Sequence, residues 1–216
     1  MIIQRPFYLM RHAQALANTK RTACGLFDSP LTKKGIAQAK DASVAFDTHL
    51  GSISRIYHSS LSRSKETAKH VKGAHNIQLI EITGINEQSF GTWEGLPWKV
   101  VLINLKKGKQ PPEGESRPQF ADRIKENINC ILSSHPLDSI PLIIAHGGTF
   151  FALGHLFGCE VEDISNCHIC YFEPYTFSDI ERYNPQKTSF PWKTFSFDYV
   201  TRKFITQKIY YNPVKL

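Results

Sequence analysis

Apolar positions along this chain follow two patterns that alternate from end to end. Short continuous runs, Phe7-Tyr8-Leu9-Met10 and Pro141-Leu142-Ile143-Ile144-Ala145, end abruptly at polar or glycine residues and predict buried strands. Between them, Ile36, Ala39, Ala42, Ala45, Phe46 and Leu50 recur at helical spacing behind Thr32, predicting a capped helix to about Leu50. Arg55 to His58 reads as a second strand, Ser62 as the cap of a helix reaching roughly His75, and Gln78 to Ile82 as a third strand. Pro97 opens a helix over Trp98 to Lys107 that Gly108 ends. The turn-rich Pro111–Ser116 run precedes a helix striped by Phe120, Ile124, Ile128, Ile131 and Leu132. Gly147-Gly148 then turns the chain into a helix toward Phe157. Beyond Asn166, strands and loops carry Tyr171, Phe172, Phe177, Trp192, Phe195, Phe197 and Tyr199. Such alternation predicts an α/β fold, a three-layer α/β/α arrangement with a mainly parallel central sheet and helices on both faces. The 216 residues fit one domain spanning 1–216.

Composition narrows the class. With 41% hydrophobic and 21% charged residues the chain reads as a globular protein, and no run approaches the roughly 20 apolar residues of a membrane span. Met1 to Pro6 has no signal-peptide pattern, so the cytoplasm is the expected location and no membrane is expected as a partner. Five cysteines at irregular spacing read as free thiols. Cys167-His168-Ile169-Cys170 is read as packing, because no second ligand pair follows at zinc spacing, and no metal is expected. The net charge of +7 suits anionic ligands, but no aromatics are interleaved with the scattered Lys and Arg, so nucleic acid is not expected.

The chemistry sits at strand ends. Met10-Arg11-His12 and Ala145-His146-Gly147 each deliver a histidine just past a strand, where open α/β sheets place their ligands. Ser59-Ser60-Leu61-Ser62-Arg63 puts a second Arg at a helix start. If these strands are neighbours, two Arg and two His converge on a helix N-terminus and make an anion-seeking pocket. An acid for a leaving oxygen is found in Glu87, after the third strand, with Glu94 as the runner-up.

At this point the chain resembles the histidine phosphatase superfamily, the phosphoglycerate mutase-like family. The resemblance rests on Arg11-His12 with Asn18, Asp28 through Gly35, Ser60-Leu61-Ser62-Arg63-Ser64 with Thr67-Ala68, Glu87 through Gly95, Gly114-Glu115-Ser116 with Phe120 and Arg123, and Ala145-His146-Gly147-Gly148. These motifs run in family order over roughly residues 7 to 150. It implies that His12 attacks phosphorus to form a phosphohistidine. Arg11, Arg63 and His146 would hold the phosphoryl oxygens, with Asn18 and Gly147 as further substrate contacts. Glu87 would act as general acid and base, and no cofactor or metal would be required. Ala13 stands where the family has glycine, and Ala15 where it has Ser or Thr; altered specificity or a slower rate is expected from them.

The expected function is a phosphomonoesterase acting on a small phosphorylated metabolite or phosphoester. A cofactor-dependent phosphoglycerate mutase and a non-catalytic phosphate-binding member are the alternatives. The resemblance favours the phosphatase, because mutases carry a longer segment where this chain has only Leu96 to Glu113. The aromatic C-terminal region reads as an edge hairpin, with a homodimer surface as its alternative.

Overall fold

A computed structural model describes residues 2–162, 164–175, 192–206 and 210–211. Phe177 lies outside them. The strands are β1 (Phe7–Arg11), β2 (Arg55–His58), β3 (Gln78–Glu81), β4 (Leu142–Ala145), β5 (Glu160–Val161), β6 (Ile169–Pro174), β7 (Trp192–Asp198), β8 (Lys203–Thr206) and β9 (Tyr210–Tyr211). The helices are α1 (Leu16–Lys20), α2 (Lys33–Ala45), α3 (Asp47–Leu50), α4 (Ser62–Lys72), α5 (Trp98–Lys106), α6 (Arg117–Ser134) and α7 (Gly147–Leu156).

Seven strands form one mixed sheet in the order β3-β2-β4-β1-β6-β7-β8. The β3-β2-β4-β1 half is parallel, and the aromatic C-terminal strands extend it antiparallel from β1. Both faces of the sheet are covered, which explains the continuous apolar runs. Phe7, Leu9, Ile143 and Ala145 face one way with Phe120, Ile124 and Leu153 of α6 and α7. Tyr8, Met10, Leu142 and Ile144 face the other way with Ala39, Ala42, Ala68 and Val71 of α2 and α4. Side chains alternate across a strand, so a strand buried on both sides is apolar at every position.

The Cys167–Cys170 pair obeys the same rule. Cys170 packs on the α6/α7 side and Cys167 on the α2/α4 side, so the two thiols belong to opposite layers. All five cysteines are free. Among the described residues no three His, Cys, Asp or Glu side chains gather in a metal-holding group, and no helix is long and apolar enough to cross a membrane.

Several boundaries differ from the sequence expectation for local reasons. Thr32 does cap α2, accepting from Gly35 N at 2.9 Å. The helix ends at Ala45, however, and Leu50 belongs to the separate turn α3. Ser62 is the first residue of α4 and not its cap. Asp28 does that work from across the fold, its Oδ1 accepting from Ser62 N at 3.0 Å and from Ser62 Oγ at 2.8 Å. α4 stops at Lys72, before His75, because Gly73 turns at φ 54°. Ser116 caps α6 in a reciprocal box with Gln119.

Candidate active site

The sheet register brings the two histidines together. Arg11 pairs with Ala145 across β1 and β4, and one step further His12 N donates to Ala145 O at 2.9 Å. The rings of His12 and His146 consequently lie 5.1 Å apart between centroids, tilted by 60°. β2 lies on the other side of β4, so Ser59 and the start of α4 open onto the same edge. This is the carboxyl edge of the parallel half.

Each ring has a defined hydrogen-bonding state. His12 is 4% exposed, and its Nδ1 lies 2.7 Å from Ala13 O. A carbonyl only accepts, so Nδ1 carries the proton and the Nε2 lone pair is left free. Burial, then the charges of Arg63 and Arg11, hold His12 well below the ordinary imidazole pKa, so the ring is neutral at pH 7. His146 is fully buried, with Nε2 2.8 Å from Ser59 Oγ. Its Nδ1 is buried without a hydrogen-bond partner among the described residues. Burial, with Arg63 next, also holds His146 well below its usual value.

The two arginines are fixed differently. Arg11 donates from Nη1 to Ile164 O and lies against Gly147, where a Cβ would meet its guanidinium carbon at 3.5 Å. Arg63 is 2% exposed and turned toward the 24–27 loop. Its Nη2 donates to Cys24 O at 3.1 Å and Gly25 O at 2.8 Å, and its Nη1 to Phe27 O at 3.2 Å. Both terminal nitrogens of this predicted clamp therefore hold a loop, while Nε–H is not engaged by it. Asn18 is similarly divided. Its Oδ1 accepts from Ala15 N at 2.9 Å and from Asn166 Nδ2 at 3.3 Å, which occupies the oxygen and leaves the amide N–H groups.

Glu87 reaches the same edge from the loop after β3. It is partly buried and accepts from Gln88 N at 2.9 Å and Gly148 N at 3.1 Å, the latter in the first turn of α7. Burial raises its carboxyl above the usual range, against the opposing pull of those amides and of Arg63 and Arg11. Glu94 is placed otherwise. Its carboxylate accepts from the backbone of Gly25, Leu26 and Phe90, which makes it a brace between two loops.

Other residues hold these groups in position. Asn86 Oδ1 accepts from Ser60 N and from the Ser59 and Ser60 hydroxyls, tying the acid loop to the start of α4. Arg123 donates to the carbonyls of Gly84, Asn86 and Glu87 and pairs with Glu115 at 2.6 Å. Asn166 donates to His12 O at 3.0 Å. Ala13 needs no glycine here, since its φ is not positive and its methyl joins the apolar cluster beneath α2.

Gly148, expected as part of the turn into a helix, also makes room for Glu87. A Cβ on it would fall 1.9 Å from Glu87 Oε1 and 3.1 Å from the Phe120 ring. Gly148→Ala is expected to displace Glu87 and lower kcat/KM for a phosphoester by about 100-fold or more, the scale of a lost general acid. Steady-state kinetics beside a thermal melt check this; activity within threefold of wild type would count against the placement of Glu87.

Residues 7–189 match the family model of the histidine phosphatase superfamily, branch 1. The chain belongs to this superfamily. It is 33% identical over 159 residues to a protein of Yersinia pestis (strain Pestoides F) named "Probable phosphoglycerate mutase GpmB", covering 69% of this chain and 71% of that one. Among solved structures it is similar to a mycobacterial glucosyl-3-phosphoglycerate phosphatase complexed with VO3, at TM-score 0.71 and 21% identity, over 88% of this chain and 97% of that one. A phosphoglycerate mutase from Bacillus anthracis str. Sterne aligns at TM-score 0.66 and 22% identity, over 77% and 86% of the two chains. At these identities the structural likeness concerns the fold, and it agrees with the α/β architecture of this superfamily chain.

Proposed function

We propose that this superfamily member is a phosphomonoesterase that hydrolyses a small phosphorylated substrate through a phosphohistidine on His12, with Glu87 as general acid and base. The observation that carries the reading is the state of His12. Its Nδ1–H is committed to Ala13 O and its ring is held neutral, so Nε2 presents a lone pair. In the first step that lone pair forms a P–N bond as the P–O bond to the alcohol breaks. Glu87, whose carboxyl burial shifts toward the protonated form, gives its proton to the leaving oxygen. In the second step the Glu87 carboxylate takes a proton from water, the water oxygen bonds to phosphorus, and the P–N bond breaks. His12 and Glu87 return to their starting states.

Charge on the transferred group is met by fixed donors, the main source of acceleration in phosphoryl transfer. Arg11, the Arg63 Nε–H, the Asn18 amide and the Gly147 backbone at the head of α7 serve this role. Ser59 gives its one hydroxyl proton to Asn86 Oδ1, so His146 donates Nε2–H to Ser59 Oγ and its buried Nδ1 keeps the lone pair. His146 would hold a phosphoryl oxygen through Nδ1 only after taking a second proton, which the negative charge of the substrate favours. These steps call on no cofactor.

A mutase reading is favoured by the name of the Yersinia relative. It is disfavoured by the segment after the acid loop, which folds as the nine-residue α5 and a turn, with little chain to exclude water. Phosphate release is the test. With chelator present, the enzyme is expected to liberate phosphate from an aryl phosphate. Conversion of 3- to 2-phosphoglycerate with little phosphate release would assign it as a mutase.

A further inference from the structure

Seven of the twelve large hydrophobic side chains exposed among the described residues lie in two short segments, 16–27 and 96–103. These segments are joined to each other. Ala23 N donates to Leu96 O at 2.8 Å, Gly95 N to Ala23 O at 2.9 Å and Trp98 N to Arg21 O at 2.8 Å. They are also joined to the site. The 24–27 loop supplies the carbonyls that hold Arg63, and Glu94 fastens Gly25 and Leu26 to the turn at Phe90. Trp98 packs its ring 5.7 Å from Phe90, three residues past Glu87, and remains 40% exposed. Leu26 and Phe27 are 48% and 64% exposed.

The direction of the reaction decides what meets this surface. In-line transfer to His12 places the leaving oxygen on the far side of phosphorus, and Glu87 must reach that oxygen to protonate it. The alcohol portion of the ester therefore leaves on the Glu87 side, toward the Phe90 turn to which the 24–27 loop and the head of α5 are joined. Solvated apolar side chains concentrated there gain free energy only from an apolar occupant.

We propose that Leu26, Phe27 and Trp98 form a leaving-group subsite that selects phosphoesters of bulky, apolar alcohols, aromatic ones in particular. The proposal rests on the phosphomonoesterase reading for its orientation, but its test does not need turnover. Binding of (1-naphthylmethyl)phosphonate and of methylphosphonate, neither of which can release phosphate, is measured by calorimetry on the wild type, Leu26→Ser and Trp98→Ser. The naphthyl compound is expected to bind about tenfold more tightly, the gain from covering about 60 Å² of apolar surface. Each substitution is expected to reduce that advantage about threefold or more, with methylphosphonate affinity unchanged within twofold.

Equal affinity of the two phosphonates overturns the proposal, as does an advantage that survives both substitutions. So does a change of oligomeric state in sedimentation with no change in the ligand advantage, which would assign the patch to a second copy of the chain. The two readings fail separately. A naphthyl advantage with no phosphate released from any ester sustains the subsite and sinks the esterase. Phosphate release with no advantage does the reverse.

Discussion

His12→Ala is expected to lower kcat/KM for an aryl phosphate by about 10⁴-fold or more, while inorganic phosphate still binds within a few-fold of wild type. Removing a covalent nucleophile eliminates the reaction path, since no neighbouring group offers the same unprotonated nitrogen. His146 is the nearest imidazole, but its Nε2 is engaged by Ser59 and its Nδ1 is fully buried, without a hydrogen-bond partner among the described residues. The anion donors, by contrast, come from Arg11, Arg63 and the head of α7, none of which depends on the His12 ring for its position. Affinity should therefore persist where turnover is lost. Stopped-time assays paired with phosphate titration separate the two, and residual activity within tenfold of wild type would sink the phosphohistidine mechanism. The complementary sign of success is an acid-labile, base-stable phosphoryl group on the wild-type chain quenched during turnover, absent from His12→Ala.

Glu87→Gln is expected to cost about 10²–10⁴-fold on an alkyl phosphate, the usual range for a general acid. It should cost less on an ester of an acidic phenol, whose leaving oxygen needs little protonation. The pH profile gives a sharper test. Burial raises the Glu87 carboxyl above its ordinary value, and burial with two arginines lowers His12 beneath its own. Attack needs His12 unprotonated and Glu87 protonated. Wild-type kcat/KM should rise as pH climbs through the depressed His12 value and fall as pH passes the raised Glu87 value, which gives a bell-shaped profile. A glutamine cannot ionise, so the alkaline limb should vanish in Glu87→Gln while the acid limb stays. Retention of the alkaline limb in that variant would assign the ionisation to another group and remove Glu87 from its role.

Both expectations draw on residues whose identity was legible in the chain and whose state was not. Arg11-His12 and His146-Gly147 were visible as strand ends, because a doubly covered strand is apolar until it emerges at the sheet edge. Glu87 stood out less. Its loop also offers Glu94, and the two carboxylates are separated only by what each touches: Gly148 at the head of α7 for one, three loop amides for the other. Arg63 shows the same limit from the other side. Its place at the start of α4 was predicted, but the turning of its Nη groups onto the 24–27 carbonyls depends on a loop some 36 to 39 positions away in sequence.

Local pattern thus determined the alternation of strands and helices, the strand-end placement of the histidines and the family to which they belong. Period and punctuation are properties of neighbouring residues, and they survive without knowledge of the fold. Tertiary structure alone decided that β1, β4 and β2 are adjacent, that His12 is neutral with Nε2 free, and that Gly148 must lack a side chain because Glu87 lies against it. It also gathered Leu26, Phe27 and Trp98 beside the acid loop. Burial, proton placement and close approach arise between segments distant in sequence, and no window along the chain contains both partners.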